Sequence, residues 1–471
     1  MPKHGVYVNE ESTAVSTPVE VETGIPFVIG LSPIQSAETP ATVGIPKLCT
    51  TFAEFVEAFG WSDDWDTYPL CEFAYSHFKL FGMQPAIFVN LLDPATMKSA
   101  VAAADKDVVS KKVELTVTAI DSAALVVKAQ GGNGDAYVKD TDYSVYYNAD
   151  GKLTVELLPD SAHYSDSKLN IAYDVVTPAS VTAAAVATGI DKIDLCMTVL
   201  GVVPDLIVAP GFSHQTTVAA VMAAKADSIN GMFRAKALID IDASSVTTYT
   251  AAVTAKGTNN FTDENEIVCW PMLKLGDKKF HMSTQLAGLM AAVDDEYGAP
   301  FASPSNHKVQ CDAIILADGT EVVLSLDHAN NLNANGIVTV LNFMGGYVCW
   351  GNYTACYPTN TDVKDYFIPV SRMFDFVANT MIVTFWDQLD VPMDRRLVDG
   401  IVDSANIWLN GLVGDGAILG GRVEMLESEN PVTNLMAGLV KFHVYITPPS
   451  PAQEIDFTLE YDVSYLEEAF A

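Results

Sequence analysis

Strict alternation of polar and apolar residues marks the last part of the chain. Across residues 454–463 an apolar side chain occupies every second position, namely Ile455, Phe457, Leu459, Tyr461 and Val463. A period of two residues is typical of a strand that buries one face. The pattern therefore predicts a terminal strand, preceded by the proline-rich turn at 447–451 and a second alternating segment at 440–446.

The beginning of the chain predicts an extended arm. Residues 5–10 read G-V-Y-V-N-E, and the arm's apolar positions are Val6, Tyr7, Val8, Val15 and Val19. A strand without a partner is a template for pairing with another chain. The two ends together predict a structural protein that assembles with copies of itself.

Between the ends, short apolar strands alternate with amphipathic helices. Strands are predicted at 24–30, 85–91, 202–209, 235–241 and 266–271, and helices at 51–59, 70–81, 213–230 and 246–255. We expect Ser213 to cap the helix that follows it. Strand–helix–strand alternation implies a partly parallel sheet with helices on its faces.

Residues 96–180 have a different composition, rich in Val, Thr, Lys and Asp. The turn residues 148–151 separate two alternating segments, which is typical of a β-hairpin. We therefore expect a small all-β domain, sandwich- or barrel-like, inserted into an α/β core.

The predicted fold class is α/β, or more fully a multidomain α+β chain. Its predicted parts are an extended arm (1–25), the first part of the core (26–95), the inserted β-domain (96–180), the continued core (181–355) and a C-terminal domain with the terminal strand (356–471).

Two amphipathic helices are predicted in the last domain. The first carries Met373 and Val377 on its inner side, and the second opens with Pro392 and ends near Gly414. Arg395 and Arg396 form an adjacent pair of cations at the start of the second helix.

Composition narrows the possible partners. The chain has 471 residues, 26 Lys and Arg against 59 Asp and Glu, and a formal net charge of −33. Such a charge disfavours nucleic acid or an anionic membrane as the main partner. No run reaches the roughly 18 apolar residues of a membrane span, and no signal peptide is expected after Met1. The seven cysteines contain no CxxC pair, so we expect reduced, buried thiols.

Motifs of enzyme chemistry are absent from the sequence, including Walker A, HExxH and GxGxxG. Ser213 followed by His214 lacks the G-x-S-x-G frame of a nucleophile elbow. Residues 331–336 have the spacing of a calcium loop, but the ligand positions are neutral and position twelve is Asn342. We expect no catalytic, cofactor or metal site. Two alternatives stay open: a hydrolase using Ser213, and an adhesin that binds through the inserted β-domain.

Several segments resemble, in the same order, the sheath protein of contractile phage tails and related injection particles. They are G-V-Y-V-N-E at 5–10, P-D-L-I-V-A-P-G at 204–211, the stretches 303–306 and 333–339, W-G-N-Y-T at 350–354, an arginine-led helix at 372–380, and the closing region formed by Gly438 and residues 448–457. The resemblance runs the length of the chain except at 96–180, where this sequence departs from the family.

The resemblance implies a structural subunit without a cofactor. Family members stack as hexameric rings around an inner tube, and contraction drives the tube through a target envelope. The implied partners are further copies, the inner tail tube protein, and baseplate and tail terminator proteins. The implied location is a virion tail or a phage-tail-like bacteriocin, assembled in the host bacterial cytoplasm.

The resemblance also implies how the two ends work, because arms of neighbouring sheath subunits complete a sheet in a third subunit. On this chain the implied exchange residues are Val6, Tyr7, Val8, Val15 and Val19 in the arm, and Ile455, Phe457, Leu459, Tyr461 and Val463 in the terminal strand. Arg395 and Arg396 are the implied candidates for the surface that faces the tube.

Overall fold

The structure is a computed structural model that describes residues 18–470. Within that part of the chain the strands are β1 Pro26–Gly30, β2 Lys47–Cys49, β3 Ala86–Asn90, β4 Lys98–Asp107, β5 Lys112–Glu114, β6 Ala119–Ile120, β7 Val126–Ala129, β8 Tyr143–Tyr147, β9 Leu153–Leu157, β10 Lys168–Val176, β11 Leu206–Val208, β12 Lys236–Asp240, β13 Glu266–Cys269, β14 Met272–Leu275, β15 Lys278–Phe280, β16 Ala313–Ile315, β17 Ile337–Asn342, β18 Tyr347–Trp350, β19 Gly420–Glu424 and β20 His443–Thr447.

The α-helices of the same residues lie between these strands and beyond them. They are α1 Phe52–Phe59, α2 Pro69–Ala74, α3 Ala183–Ile190, α4 Cys196–Leu200, α5 Thr216–Asp227, α6 Tyr249–Thr258, α7 Met282–Tyr297, α8 Leu326–Asn333, α9 Val363–Tyr366, α10 Ile368–Phe385, α11 Arg395–Gly414, α12 Val432–Met436 and α13 Ser464–Phe470. A π-helical turn, Tyr75–Leu80, continues α2.

The core is an eight-stranded sheet in the order β18-β17-β13-β12-β11-β1-β3-β2. Its central strands are parallel, and β2 and β18 close the two edges in antiparallel orientation. The strands are short apolar runs buried on both faces, as parallel strands are when helices cover both sides. The predicted α/β class is confirmed.

Helix α1 shows how local sequence and packing agree. The Thr51 side chain accepts a hydrogen bond from the backbone N–H of Glu54 and so caps the first turn. Phe55 and Phe59 then lie one turn apart on the inner side, and both pack against Phe88 of β3, with ring centroids 4.7 and 5.8 Å away. The helix is thereby fixed on the sheet.

Strands β4 to β10 form two further sheets of their own. One has the order β4-β10-β6, with β7 also paired to β10, and the other has the order β5-β9-β8. Their buried residues, including Leu153, Val155 and Ile171, form a hydrophobic cluster separate from that of the large sheet. The predicted hairpin is present, and Gly151, at φ +72°, occupies the left-handed position of its turn.

The C-terminal part consists of α10, α11 and the antiparallel pair β19–β20 around a third cluster of buried residues. Amphipathic spacing explains the two helices, since Met373 and Val377 of α10 and Ala405 and Leu409 of α11 are buried in this same cluster. The pair β19–β20 packs on the outer side of α11.

Two predictions about helix starts are wrong. Helix α5 begins at Thr216 rather than at Ser213, because the Ser213 hydroxyl donates to buried Asp240 at the end of β12 (3.0 Å). Helix α11 begins at Arg395 rather than at Pro392, because the Asp394 side chain accepts from the N–H of Leu397 (2.8 Å) and caps the helix there.

Candidate assembly surfaces

The terminal segment 455–463 exposes its apolar face to solvent. The exposed fractions of its alternate residues are Ile455 71%, Phe457 85%, Leu459 95%, Tyr461 75% and Val463 62%. The segment has no regular secondary structure and makes no ladder with any described strand. Monomeric proteins rarely leave such a face uncovered, so these residues are a candidate interaction surface. The strand predicted here stays a prediction, because a strand requires a partner.

A side-chain contact fixes where this segment leaves the body of the protein. Gln453 accepts a hydrogen bond from the Tyr353 hydroxyl, 2.5 Å away. The Tyr353 ring stacks on Tyr357 with centroids 4.0 Å apart and also contacts Tyr366. The connection from β20 to Gln453 contains three prolines and is therefore stiff and extended. The start of the segment is therefore held against Tyr353.

The pair β19–β20 is a candidate acceptor for an added strand. An isolated two-stranded sheet is only marginally stable, and this one gains support from α11 on one face. On that face Val423 is buried, Ile446 is partly buried and Val444 is 36% exposed. On the opposite face the Arg422 guanidinium lies 3.9 Å from the centre of the Tyr445 ring. The sheet thus has one apolar and one polar face.

At Val423 the outer edge of β19 is occupied by a side chain. The Val423 N–H donates to Oδ1 of Asn406 on α11 (2.8 Å), and the Val423 carbonyl accepts from its Nδ2 (3.0 Å). Both polar groups of Val423 therefore point away from β20. Val444 lies directly opposite Val423 in this antiparallel ladder, so its backbone N–H and carbonyl must point away from β19. The same holds for the backbone N–H and carbonyl of Ile446, two residues further on.

The outer edge of β20 is open by contrast. No described residue forms a hydrogen bond with the backbone of Val444 or Ile446 on that side. Just before β20, the Asn430 side chain accepts from the N–H of Lys441 (2.7 Å) and donates to its carbonyl (2.8 Å). Asn430 thereby takes the place of β19, which ends opposite His443. The outward backbone groups of Val444 and Ile446 thus have no partner among the described residues.

The described part of the N-terminal arm lies along α10. The N–H groups of Val19 and Val21 donate to the hydroxyls of Thr384 (3.1 Å) and Thr380 (3.4 Å), one helical turn apart. The Glu20 carboxylate accepts from the indole N–H of Trp408 (2.6 Å). Val19 nevertheless remains 59% exposed. The other arm candidates, Val6, Tyr7, Val8 and Val15, lie outside the described residues.

Buried ion pairs hold the root of the arm and α10 onto the core. Arg372 of α10 donates to Asp294 of α7 (2.8 Å) and to Asp205 (2.7 Å), while Asp205 also accepts from the N–H of Ile25 (2.8 Å). Burial raises the pKa of the Asp294 carboxyl, against the lowering effect of Arg372. A second pair, Lys236 with Asp375 (2.9 Å), links α10 to β12.

The two candidate tube-facing cations are exposed at the start of α11. The Arg395 side chain is 92% exposed and lies 3.4 Å from Asp399, one turn along the helix. Arg396 lines an open groove of about 370 Å³ between the end of α10 and α11, together with Val391, Leu397 and Ile401. Both cations are accessible to a partner.

The hydrolase candidates are not arranged as a catalytic pair. Ser213 is fully buried, its hydroxyl donates to Asp240, and it accepts from the Asp240 N–H (3.0 Å). Burial lowers the pKa of His214, whose side chain lines a different, open cleft. Residues 331–336 close α8 in a tight turn. Among the described residues no group of three or more His, Cys, Asp or Glu side chains is placed to hold a metal.

No helix within residues 18–470 has the length and apolar character needed to cross a membrane.

Comparison with known proteins shows what the chain is similar to. Residues 179–355 match the family model of the phage tail sheath protein central domain. The tail sheath protein of Burkholderia phage BcepMu is 28% identical, over 98% of this chain and 97% of its own. A putative prophage major tail sheath protein of Pseudomonas aeruginosa is 26% identical, over 61% of this chain and 72% of its own.

Solved sheath structures share the fold over nearly the whole chain. The sheath of the extracellular contractile injection system PVC in its contracted state has a TM-score of 0.61 and 15% identity, covering 99% of both chains. The contracted helical sheath of the anti-feeding prophage has a TM-score of 0.59 and 16% identity, covering 98% of this chain and 100% of its own. At these identities the likeness concerns the fold.

The resemblance predicted from the sequence is confirmed: the chain groups with the contractile tail sheath proteins. It is a structural subunit of a contractile sheath, in a virion tail or a related particle.

Sequence reasoning missed two side-chain contacts: the one between Asn406 and β19, and the one that holds the start of the terminal segment. Asn406 lies within a predicted helix, and Tyr353 and Gln453 are one hundred residues apart. The available signal was weak: asparagine is a poor former of helix interiors, so its presence in α11 hints at a side-chain role.

Proposed function

We propose that the chain polymerises as stacked hexameric rings around an inner tube and contracts to drive that tube through a target cell envelope. One observation carries the proposal: the apolar face of residues 455–463 is exposed on a chain that also has a two-stranded sheet with an open edge. The two features are complementary, because an added strand needs an edge and the edge needs a strand.

Strand addition suits a sheath that must move without falling apart. Backbone hydrogen bonds between copies would tie subunits together while their bodies rotate and slide as rigid units. Covering five apolar side chains would contribute about 10 kcal/mol per subunit before ordering costs. Burial of new surface on contraction, rather than a nucleotide, would then drive the movement.

The arm completes the proposed linkage. Val6, Tyr7, Val8, Val15 and Val19 would pair in a neighbouring copy, as Ile455, Phe457, Leu459, Tyr461 and Val463 would in another. In the described residues the arm is held on α10 through Val19 and Val21, and the other arm candidates lie outside the described residues.

Further partners follow from the same proposal. Arg395 and Arg396 would face the inner tail tube protein, and baseplate and tail terminator proteins would bind the two ends of the stack. Assembly would take place in the host bacterial cytoplasm. Residues 96–180 would form an inserted domain on the periphery of the sheath, and deleting them would leave assembly intact. If the inserted domain served as an adhesin, the same deletion would abolish its binding to the target.

We also propose that the chain is not an enzyme. Ser213 is enclosed and bonded to Asp240, which argues against the hydrolase alternative. Screening generic esters with the wild type and Ser213→Ala tests this, and activity that disappears in the variant would restore the hydrolase.

Electron microscopy of the purified chain, expressed alone and imaged at several concentrations and salt levels, tests the assembly proposal. We expect hollow tubes or stacked rings with sixfold symmetry. Rings of another order would overturn the hexamer. Material that stays monomeric even when tube and baseplate proteins are added would overturn assembly itself.

A further inference from the structure

We propose that the outer edge of β4, in the inserted part of the chain, pairs in antiparallel orientation with β4 of a second copy, and that this contact forms a soluble dimer of the chain. The pairing involves only residues 98–107 and is independent of the two chain ends.

Strand β4 lies at the edge of its sheet and is exposed along most of its length. It has ten residues, more than any other described strand, and it pairs on one side only, with β10. Eight of the ten residues are exposed, and the other two, Val101 and Lys106, are partly buried. A long exposed edge strand is a template for pairing with another chain.

Hydrogen bonds at the two ends of β4 show which of its backbone groups face outward. At one end the N–H of Val108 donates to the carbonyl of Ser167 (2.9 Å). At the other end the N–H of Thr177 donates to the carbonyl of Met97 (2.9 Å). Bonded and non-bonded pairs alternate along an antiparallel ladder, so counting inward from each end identifies the residues whose backbone groups point away from β10. These residues, which have no backbone partner on that side in the described part of the chain, are Lys98, Ala100, Asp105 and Asp107.

A single register of two β4 strands joins all of these outward groups. It sets Lys98 opposite Asp107 of the second copy. The same register sets Ala100 opposite Asp105, and the two-fold symmetry repeats both pairs. The ladder with β10 is irregular at 102–103, where β4 has two residues against one. Both copies carry this irregularity at the centre of the pairing, so the register holds on either side of it.

The charges of the paired strands are complementary in this register. Within one copy Asp107 contacts Lys168 of β10 (2.8 Å), and Lys98 contacts Asp174 of β10 (3.0 Å). Pairing would add Lys98 of the second copy beside Asp107, so positive and negative side chains would alternate across the joined sheets. Lysines and bulges usually discourage pairing at a sheet edge. Here each meets its complement, and opposite charges on adjacent strands are stabilising.

The symmetry of the contact places it outside the stack of rings. Two copies related by a two-fold axis point in opposite directions, whereas copies stacked around a tube that moves one way all point the same way. This placement rests on the proposed function, although the pairing itself does not. A single strand pair buries little surface, so the dimer is weak and the dilute chain is a monomer. The dimer must dissociate before its chains enter a ring.

Sedimentation velocity of the full-length chain, over a concentration series below the onset of tube formation, tests the pairing. We expect a reversible equilibrium between monomer and dimer. Ala100→Pro removes an outward N–H without breaking a bond to β10, and it should weaken dimerisation by about tenfold or more. Ala100→Ser keeps the N–H and should dimerise like the wild type.

Two charge variants test the register. Lys98→Asp would set two carboxylates opposite each other in the dimer, and Asp107→Lys would set two ammonium groups opposite each other. Each variant alone should therefore dimerise more weakly than the wild type. Mixed in equal amounts, the two variants present opposite charges at both positions, so a mixed dimer should form. A misfolded variant does not recover in this way.

Three results would overturn the inference. They are a chain that stays monomeric up to the onset of tube formation, a dimer that Ala100→Pro leaves unchanged, and charge variants that do not pair when mixed. If Ala100→Pro lowers the melting temperature, the mixing experiment decides. Tubes are scored separately by microscopy: tubes without a dimer would remove this inference alone, and a dimer without tubes would remove the assembly proposal alone.

Discussion

The Tyr353 hydroxyl donates to the side-chain oxygen of Gln453 across 100 residues of sequence, at 2.5 Å. This bond sets the point from which the terminal segment departs, and residues 454–466 after it are exposed. A segment held in one direction loses less entropy when it binds a neighbour than one that is free to turn. The contact therefore links the packing of the core to assembly.

Tyr353→Phe removes this hydroxyl and keeps the ring stacked on Tyr357. We expect the free energy of unfolding to change by about 1 kcal/mol or less, as for one partly exposed hydrogen bond. The critical concentration for assembly, measured by sedimentation, should rise. Tyr366→Phe is the matched control, because Tyr366 contacts the same ring but does not bond Gln453. Equal critical concentrations in the two variants would contradict a role for the bond in directing the segment.

Ending the chain after Pro451 removes the exposed strand. We expect a monomer that melts close to the full chain. The truncation removes the bond between Tyr353 and Gln453, which contributes about 1 kcal/mol or less, and residues 455–461 make no hydrogen bond with the described body of the protein. Microscopy should show no tubes at concentrations at which the full chain assembles. In the full chain, Leu459→Asp should act like the truncation, whereas Thr458→Ala on the opposite face should assemble normally. Normal tubes from the truncated chain would eliminate strand exchange by the C-terminus.

Arg372→Met leaves Asp205 and Asp294 buried without their cation. Removing one partner of a buried ion pair typically costs about 3–5 kcal/mol, so the urea midpoint should fall steeply. Arg395→Met is the control, because Arg395 is 92% exposed and its contact with Asp399 contributes little. If both variants lose the same stability, the buried network does not hold α10 to the core.

Stability should fall as the pH rises from about 6.5 to 9. His281 precedes α7, where burial lowers its pKa but the Glu72 carboxylate, 2.8 Å away, outweighs burial and raises it to about 9. The folded chain then binds this proton more tightly than the unfolded chain, so the stabilisation is complete below pH 6.5 and is lost as pH passes 9. The free energy of unfolding that the raised pKa of His281 contributes is at most about 3 kcal/mol.

Chemical denaturation at pH 6, 7.5 and 9 measures this loss. Glu72→Gln provides the comparison, because its amide oxygen can still accept from the His281 N–H while the charge is gone. We expect a clearly shallower pH dependence in Glu72→Gln. The same slope in both proteins would show that another group is responsible.

The core sheet could be predicted because its strands carry their own signal. Pro26–Gly30 and Lys236–Asp240 are short, mostly apolar runs bounded by turn residues, and such runs are buried wherever they occur. The hairpin at 148–151 was predictable for a similar reason, since turn chemistry is local. Periodicity likewise identified which face of residues 455–463 is apolar.

Tertiary partners account for what the sequence did not reveal. Ser213 has the local features of a helix cap, but its hydroxyl donates instead to the buried carboxylate of Asp240 at the end of β12. Pro392 is a common first residue of a helix, yet Asp394 caps α11 two residues later. The link between Asn406 and Val423 depends on how α11 lies on β19, which no local pattern encodes. The alternation of polar and apolar residues likewise does not specify which strand a segment pairs with.

Isotope-mixed cross-linking measures the central claim most directly. Equal amounts of nitrogen-14 and nitrogen-15 chains are assembled together and treated with a zero-length carbodiimide, which joins Lys441 beside β20 to nearby carboxylates. We expect linked peptides that pair Lys441 with Asp456, Glu460 or Asp462, half of them carrying mixed isotopes, because the strand comes from another copy. Links between these residues carrying only one isotope would place the strand on its own chain, and assembled tubes without any such link would contradict strand addition at β20.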